Sequence, residues 1–415
     1  MNTTLPALVA SSLVPTTATI TIPEFCPNPH CRFYHQSEAA THHWFSHFGS
    51  FYTKCRGWIA RFRCKWCGKT CSTQTFSIHY WTHSTSDLTR LLQLLYSCSG
   101  LRQIGRFSGS SYRVIQNRVR RLARNALSVM DVVHACIELS ENIAMDGFES
   151  YTRSHYHPNN FTTVVGSTSQ FFYSVVHTLL RRKGAMSSRQ KQMRALIDLV
   201  WRAPAQGIRD DCTCMLTDLS PLICDAAQSN RPVVLSTDHH PAYPAALERV
   251  PALAALLRTG GLIHQSISSR AARTTINPLF PVNYLDRQIR KNMGEHVRRT
   301  IKQGREVNGQ MERMAVFMFI HNFLTPHRID DTAQVHDSKR HATYAAIRSP
   351  QVVERIKRFL THRHLWGHSR SKHQWIKRIW LHQYRNPPSV TVVKGELVSR
   401  QVALPPGGLA EHFLS

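Results

Sequence analysis

The sequence predicts a multidomain α/β protein, and three observations support that prediction. Its 415 residues exceed what one hydrophobic core usually organises, so two or three packed units are expected. Cysteine and aromatic residues are concentrated in one N-terminal stretch with short β-type runs. Helical periodicity follows, and then a region in which strands precede helices. We expect these units to lie between a flexible leader at 1–22 and a basic tail at 331–415.

The charge of the chain indicates a polyanionic partner. Lys and Arg number 52 against 25 Asp and Glu, which gives a formal net charge of +27. Nucleic acid fits this excess better than an anionic membrane, because the longest clean apolar run, Met314 to Ile320, is far short of the roughly 20 residues of a spanning helix. The first basic residue is Arg32, so the N-terminus lacks the charged start of a signal peptide. We therefore expect a cytoplasmic, nucleoid-associated protein that binds DNA and no membrane.

Two cysteine pairs in residues 23–80 predict a zinc ribbon. Their spacings are C-x4-C and C-x2-C, about thirty residues apart, and each pair can present two thiolates from one tight turn. Four thiolates suit tetrahedral Zn²⁺, and a closed shell of this kind is structural because it leaves no position for a substrate. The alternative is two unrelated pairs of buried thiols. The predicted ligands are Cys26, Cys31, Cys64 and Cys67, with Cys55, Cys71 and His30 as spare candidates.

Residues 84–130 predict a helix-turn-helix. An apolar stripe from Leu88 to Leu95 follows an N-cap at Ser86, and a second helix starts after Ser110 or Ser111. Its apolar face is expected to consist of Tyr112, Ile115, Val119, Leu122 and Ala126. Such a helix could enter a major groove, although a solvated basic face on a core helix is the plain alternative. The candidate DNA-binding side chains are Arg113, Asn117, Arg120, Arg121 and Arg124.

Two acidic residues stand out because each follows an apolar strand in a chain that is poor in acids. Asp146 follows Ile143 to Met145, and Asp238 follows Val233 to Thr237. An isolated aspartate at a strand end usually caps the next turn or helix. Two carboxylates on adjacent strands, however, can share Mg²⁺, a hard ion that prefers oxygen ligands. A metal site of this kind would require a third acid.

These residues resemble those of a bacterial insertion-sequence transposase. The resemblance covers roughly residues 24–345 and includes the ribbon cysteines, the strand with Asp146 and Gly147, and the stretch Ser236 to His239 with Ala242 and Tyr243. It continues from Asp286 through Asn292 to Arg328. Its most family-like parts are Gly309–Met314, Phe319–Phe323 and Pro326–Arg328, in which His321 and Asn322 could equally be helix-packing residues.

The resemblance implies an RNase H-like catalytic domain at 140–330, a mixed sheet flanked by helices. Three acids of that domain would hold two Mg²⁺ or Mn²⁺ ions. The third acid is expected to be Asp286, an Asp where Glu is commoner in the family, with Glu295, Glu306 and Glu312 as rivals. Basic residues crowd the same region and are expected to line a DNA track. They are Arg287, Arg290, Lys291, Arg298, Arg299, Lys302 and Arg305.

The activity implied by the resemblance is cleavage at the ends of a mobile element and joining of the freed ends to target DNA. Both ends must be held together, so a homodimer or a larger assembly on DNA is expected. Two other classes of protein are compatible with the sequence. A non-catalytic zinc-dependent DNA-binding regulator would tolerate loss of Asp146 or Asp238, and a general nuclease would cut without end specificity.

Overall fold

The computed structural model describes residues 22–34, 43–229, 231–297, 302–327, 340–347, 349–364, 371–393 and 396–400. The expected leader at 1–22 lies outside these ranges except for its last residue, as do Arg298, Arg299 and Arg328. In the described part of the chain, no helix is both long enough and apolar enough to cross a bilayer.

The N-terminal unit, which we call the ribbon (described residues 22–34 and 43–82), is built on a small antiparallel sheet. Its strands are β1 (Phe45–Thr53), β2 (Gly57–Cys64) and β3 (Thr70–Ser72), in the order β1-β2-β3. The core around the cysteines is small: its fully buried members are Trp44, Phe62 and four cysteines, with Phe25, Phe33 and Phe45 packed against it and partly exposed. So few apolar side chains leave little hydrophobic stabilisation for folding.

Three helices follow the ribbon: α1 (Leu88–Tyr96), α2 (Leu101–Phe107) and α3 (Tyr112–Cys136). Asp87 caps α1, not Ser86 as predicted, and its carboxylate accepts the backbone N–H of Arg90. Ser111 caps α3, one of the two positions predicted. The predicted apolar face of α3 is buried except for Tyr112, which is 42% exposed because it starts the helix before the packed face begins. A short turn at residues 108–111 joins α2 to α3.

A mixed five-stranded sheet forms the centre of the molecule. Its strands are β4 (Ile143–Tyr151), β5 (Pro158–Gly166), β6 (Phe172–Leu179), β7 (Val233–Asp238) and β8 (Leu262–Ile267). Their order is β6-β5-β4-β7-β8, with β5 antiparallel to both neighbours and β4, β7 and β8 parallel. The α/β class is confirmed, and the apolar runs before Asp146 and Asp238 form parts of β4 and β7.

Helices flank this sheet. They are α4 (Ser188–Val200), α5 (Gly207–Gln228), α6 (Ala242–Glu248), α7 (Pro251–Thr259), α8 (Phe280–Asn292) and α9 (Val307–Phe319), which continues as a π-helix at Ile320–Leu324. α8 packs against β4 and β5, and α9 packs along α3. These contacts bring α8 to the sheet strand that carries Asp146.

Part of the expected C-terminal tail is packed into the body of the protein. The described elements there are α10 (His341–Tyr344), α11 (Pro350–Lys357), α12 (Gln374–Trp380) and a hairpin of β9 (Ser389–Val393) and β10 (Glu396–Arg400). Phe359 stacks on Phe319 with ring centroids 3.6 Å apart, and Trp375 is fully buried. One continuous hydrophobic core therefore joins the helices, the sheet and residues 342–384.

Candidate functional sites: a cysteine cluster and an aspartate cluster

The four predicted cysteines come together at one end of the ribbon. The Sγ atoms of Cys26 and Cys67 are 3.5 Å apart, those of Cys31 and Cys64 are 3.7 Å apart, and all four lie within 4.8 Å of one another. The spare candidates are not part of this group: Cys55 and His30 are exposed, and Cys71 is buried in β3. The predicted set is therefore confirmed as a cluster that could hold a metal ion such as zinc.

The surroundings of the sulfur atoms fit a bound cation. Burial raises the pKa of the Cys26 and Cys31 thiols, which disfavours thiolates in the absence of positive charge. Burial acts in the same direction on Cys67, but hydrogen bonds from Asn28 and Lys69 lower the pKa of this thiol to about 7. The backbone N–H of Phe33 donates to Cys31 Sγ at 3.5 Å. A cation would favour the thiolate form of all four ligands.

The sheet brings Asp146 and Asp238 to the same level on adjacent strands. β4 and β7 are parallel, and their register pairs Ala144 with Ser236. Two residues further along, each strand reaches its aspartate, and side chains two residues apart project from the same face of a sheet. Asp286 lies in the middle of α8, which packs on β4, so the fold brings all three predicted acids to one region.

The three carboxylates repel one another in a partly buried setting. Burial raises the pKa of Asp146 to about 6, and the charge of Asp238 adds to that effect although the backbone N–H of Gly147 opposes it. Burial and the neighbouring Asp146 raise the pKa of Asp286 well above its usual value. Its Oδ1 atom is buried without a hydrogen-bond partner. A cation at this position would compensate both the repulsion and the unmet acceptor.

The carboxylate oxygens of the aspartate cluster are less closely grouped than the sulfur atoms of the cysteine cluster. Among the described residues, only the four cysteines form a group of three or more candidate ligands whose donor atoms all lie within 4.8 Å. Arg273, in the loop before α8, lowers the pKa of both Asp146 and Asp286. This arginine therefore supplies part of the positive charge that the carboxylates require.

Two neighbours orient Asp146. The backbone N–H of Gly147 donates to Asp146 Oδ1 at 2.7 Å, and Tyr243 Oη in α6 donates to the same oxygen at 3.5 Å. A Cβ atom at Gly147 would lie 2.4 Å from the side-chain nitrogen of Asn160, so a larger residue there would displace the buried Asn160 side chain. The sequence pattern gave no signal for Asn160 or Arg273, because both meet the site only through the fold.

The rival acids are engaged elsewhere or lie apart. Glu312 is buried and accepts hydrogen bonds from Arg120 Nε at 2.9 Å and from His382 Nε2 at 2.6 Å. Glu295 pairs with Arg313 at 2.5 Å, and Glu306 is exposed before the start of α9. Asp286 is thus the third acid that the fold places beside Asp146.

Most of the candidate DNA-binding residues of α3 make contacts within the chain. Arg120 pairs with Glu312, and Arg121 donates to Asn117 Oδ1 at 2.9 Å and to the carbonyl of Ile78 at 2.7 Å. The guanidinium of Arg124 lies over the Trp380 ring. Arg113 is exposed. These contacts show that three of the arginines help to hold α3 in the body of the protein.

Among the basic residues of α8, one makes contacts within the chain and two are exposed. Arg290 donates to the carbonyl oxygens of Glu149 and His296, each at 3.1 Å, and so fixes α8 to β4. Arg287 and Lys291 are exposed and lie one turn apart on the same side of the helix. Among the described residues, neither makes a hydrogen bond like those of Arg290, and both lie within five residues of Asp286.

Comparison with known proteins finds no family model that matches the chain and no curated protein that matches it.

Proposed function

We propose that this protein is an insertion-sequence transposase that binds the ends of its element and catalyses metal-dependent DNA cleavage and strand transfer. One observation carries the proposal: Asp146 and Asp238 lie side by side on adjacent parallel strands, and Asp286, whose buried Oδ1 atom has no hydrogen-bond partner, lies beside Asp146. Buried carboxylates without compensating partners are costly to folding and are typical of functional sites.

The fold supports this proposal. Three antiparallel strands followed by two parallel strands, in the order β6-β5-β4-β7-β8, match the mixed sheet expected for an RNase H-like domain. Asp146 lies in the central strand and Asp238 at the end of the neighbouring one. The third acid, Asp286, comes from α8, which packs on the strand that carries Asp146 and on its other neighbour, β5.

The residues of the site have separate roles in the proposed reaction. Bound Mg²⁺ or Mn²⁺ would activate the attacking water or 3′-hydroxyl and stabilise the leaving 3′ oxygen. The backbone N–H of Gly147 donates to Oδ1 of Asp146 and so helps to fix the orientation of this carboxylate. Tyr243 keeps its proton, because burial and the nearby aspartates raise the pKa of its hydroxyl, and it remains a donor to Asp146.

Charge outside the cluster suits a DNA substrate. Arg287 and Lys291 are exposed on α8 within five residues of Asp286 and could neutralise phosphates near the cleaved bond. The overall charge of +27 adds a long-range attraction for DNA. The ribbon, with Zn²⁺ held by Cys26, Cys31, Cys64 and Cys67, would add a second DNA-binding unit.

The proposal is tested by Mg²⁺-dependent nicking of DNA that carries the sequences flanking the gene. Asp146→Asn, Asp238→Asn and Asp286→Asn should each abolish nicking while DNA binding stays within about twofold of the wild type. Each substitution keeps the size of the side chain but removes a charged ligand, and a loss of only about 1.4 kcal/mol of transition-state stabilisation already lowers the rate tenfold.

Glu306→Gln is the matched control, because Glu306 is an exposed acid in the same part of the chain and should not affect nicking. Normal nicking by all three aspartate variants in a preparation free of contaminating nuclease would refute the proposal. Intact end binding without any nicking by the wild type would favour the DNA-binding regulator. Equal cutting of unrelated DNA would favour a general nuclease.

The resemblance also implies an assembly of two or more chains on DNA. We therefore expect sedimentation of the protein with end DNA to give a complex that contains at least two protein chains and two ends. A complex of one chain with one end at all concentrations would contradict this part of the proposal.

A further inference from the structure

The ribbon exposes aromatic side chains to an unusual degree. Seven consecutive residues of β1, from Ser46 to Tyr52, are exposed, although strands normally bury alternate residues. Tyr52 is 64% exposed, and its partner in β2, Trp58, is 73% exposed. A long exposed edge strand with aromatic residues is an aggregation hazard, so its presence indicates a ligand-binding function.

These aromatic residues form two groups on the hairpin of β1 and β2. Tyr52 and Trp58 are directly opposite in register and their rings meet edge to face, with centroids 5.8 Å apart. On the other face, the guanidinium groups of Arg61 and Arg63 lie 5.2 Å and 4.3 Å from the centre of the Phe48 ring. We call these five residues the hairpin patch.

The charge around the patch is entirely positive. Residues 43–86 contain six Lys and Arg and neither Asp nor Glu. The basic members are Lys54, Arg56, Arg61, Arg63, Lys65 and Lys69. A protein partner with an ordinary mixed surface would not require this bias, whereas a chain of phosphates would.

The combination of exposed rings and cations favours single-stranded DNA over a duplex. In a duplex the faces of the bases are covered by their neighbours, and only base edges are accessible in the grooves. Unpaired bases offer their faces, and stacking on an aromatic side chain contributes on the order of 1–3 kcal/mol per base. A hairpin that exposes rings on both faces can be contacted by a flexible strand that bends around its β1 edge.

We propose that the hairpin patch binds single-stranded DNA by base stacking, with the adjacent arginines and lysines on the phosphates. This inference rests on the proposed function for its role: strand cleavage at an element end releases unpaired nucleotides, and the ribbon would hold them. The binding itself requires neither the aspartate cluster nor divalent ions.

The test is fluorescence anisotropy with labelled oligo(dT) and a duplex of the same length, without Mg²⁺, using the zinc-loaded full-length Asp146→Asn protein. Neither cleavage nor its failure can then affect the result. The double variant Tyr52→Ala with Trp58→Ala should bind oligo(dT) at least tenfold more weakly and the duplex within about twofold. Both side chains are exposed, so zinc content and circular dichroism should be unchanged.

Single substitutions at Trp58 separate stacking from general apolar contact. Trp58→Phe, which keeps a flat ring, should retain most of the oligo(dT) affinity, whereas Trp58→Leu, which keeps only apolar volume, should lose it. Tyr344→Ala removes an exposed aromatic residue outside the ribbon and should have no effect. The inference would be overturned if the double variant lost affinity for the duplex and for oligo(dT) equally. Full oligo(dT) affinity in Trp58→Leu or in the double variant would also overturn it.

Discussion

The ribbon and the five-stranded sheet gather reactive side chains in opposite ways. In the ribbon, four cysteines with donor atoms within 4.8 Å are themselves part of a core that has only a few apolar side chains. In the sheet, three aspartates lie at the margin of an extensive core that includes Phe161, Phe171 and Phe172. The comparison indicates that the ribbon requires its ligand in order to fold, whereas the sheet can fold with an unfavourable cluster because its core compensates the cost.

The largest effect is expected from removing zinc. Structural Zn²⁺ contributes on the order of 10–16 kcal/mol in small zinc domains. Chelation, or Cys64→Ser, should therefore unfold the ribbon and leave the sheet folded. Hydrogen exchange would show this as loss of protection in β1 and β2 alone.

Cys55→Ser is the control for that experiment, because Cys55 is an exposed cysteine of the same ribbon outside the cluster. It should keep zinc content and protection. Zinc content near zero in the purified wild-type protein, or simultaneous loss of protection in β4 and β5 on chelation, would break the distinction between the two regions.

A core substitution should affect the larger region as a single unit. Phe319→Ala removes a ring that stacks on Phe359, and truncating a buried phenylalanine typically costs about 3–5 kcal/mol. Because the helices, the sheet and residues 342–384 share one core, urea unfolding should remain a single shifted transition for all of them. Separate transitions for the C-terminal part and the sheet would show that the shared core does not act cooperatively.

Acid should destabilise the sheet region through buried neutral histidines. Burial lowers the pKa of His321 to about 4, while the same side chain titrates near 6.5 when unfolded. The unfolded state therefore binds more protons as the pH falls below 6.5, and stability declines until the folded pKa is reached.

Replacing His321 with Asn should remove about 2 kcal/mol of the stability difference between pH 6.5 and pH 5, measured by urea unfolding at both pH values. The control is His239→Asn, which replaces an exposed histidine and should leave the pH dependence of stability unchanged. An unchanged pH dependence in His321→Asn would show that this histidine does not titrate with unfolding.

The aspartate cluster should oppose stability in the absence of metal. Asp286→Asn replaces a carboxyl group whose buried Oδ1 lacks a partner, so this variant should melt at a higher temperature than the wild type without Mg²⁺. Thermal unfolding without divalent ions measures the difference. A less stable variant would mean that the Asp286 carboxylate contributes to folding.

The sequence predicted local features better than tertiary contacts. The four cysteines and the strands that carry Asp146 and Asp238 were found because cysteine spacing and apolar runs are local signals. The prediction that Ser86 caps α1 was wrong, because the neighbouring Asp87 is the N-cap. The prediction that Tyr112 belongs to the buried face of α3 was wrong, because periodicity does not show where packing against a helix begins.

Contacts between distant segments could not be read from pattern. The pairing of Arg120 with Glu312 joins residues 192 positions apart, and it gives a candidate DNA-binding side chain a contact inside the chain. The approach of Asn160 to Gly147 and of Arg273 to the carboxylates likewise depends on the sheet and its loops. Residues that orient a site are the hardest to predict, since neither their type nor their spacing distinguishes them.

The central claim is that Asp146, Asp238 and Asp286 form one site for divalent ions, and Mg²⁺-induced thermal stabilisation tests it most directly. A ligand that binds only the folded state raises its stability. The melting temperature of the zinc-loaded wild type, and of Glu306→Gln as control, should rise by a few degrees with millimolar Mg²⁺, and that of Asp286→Asn should not. An equal rise in Asp286→Asn, or no rise in the wild type, would contradict the account.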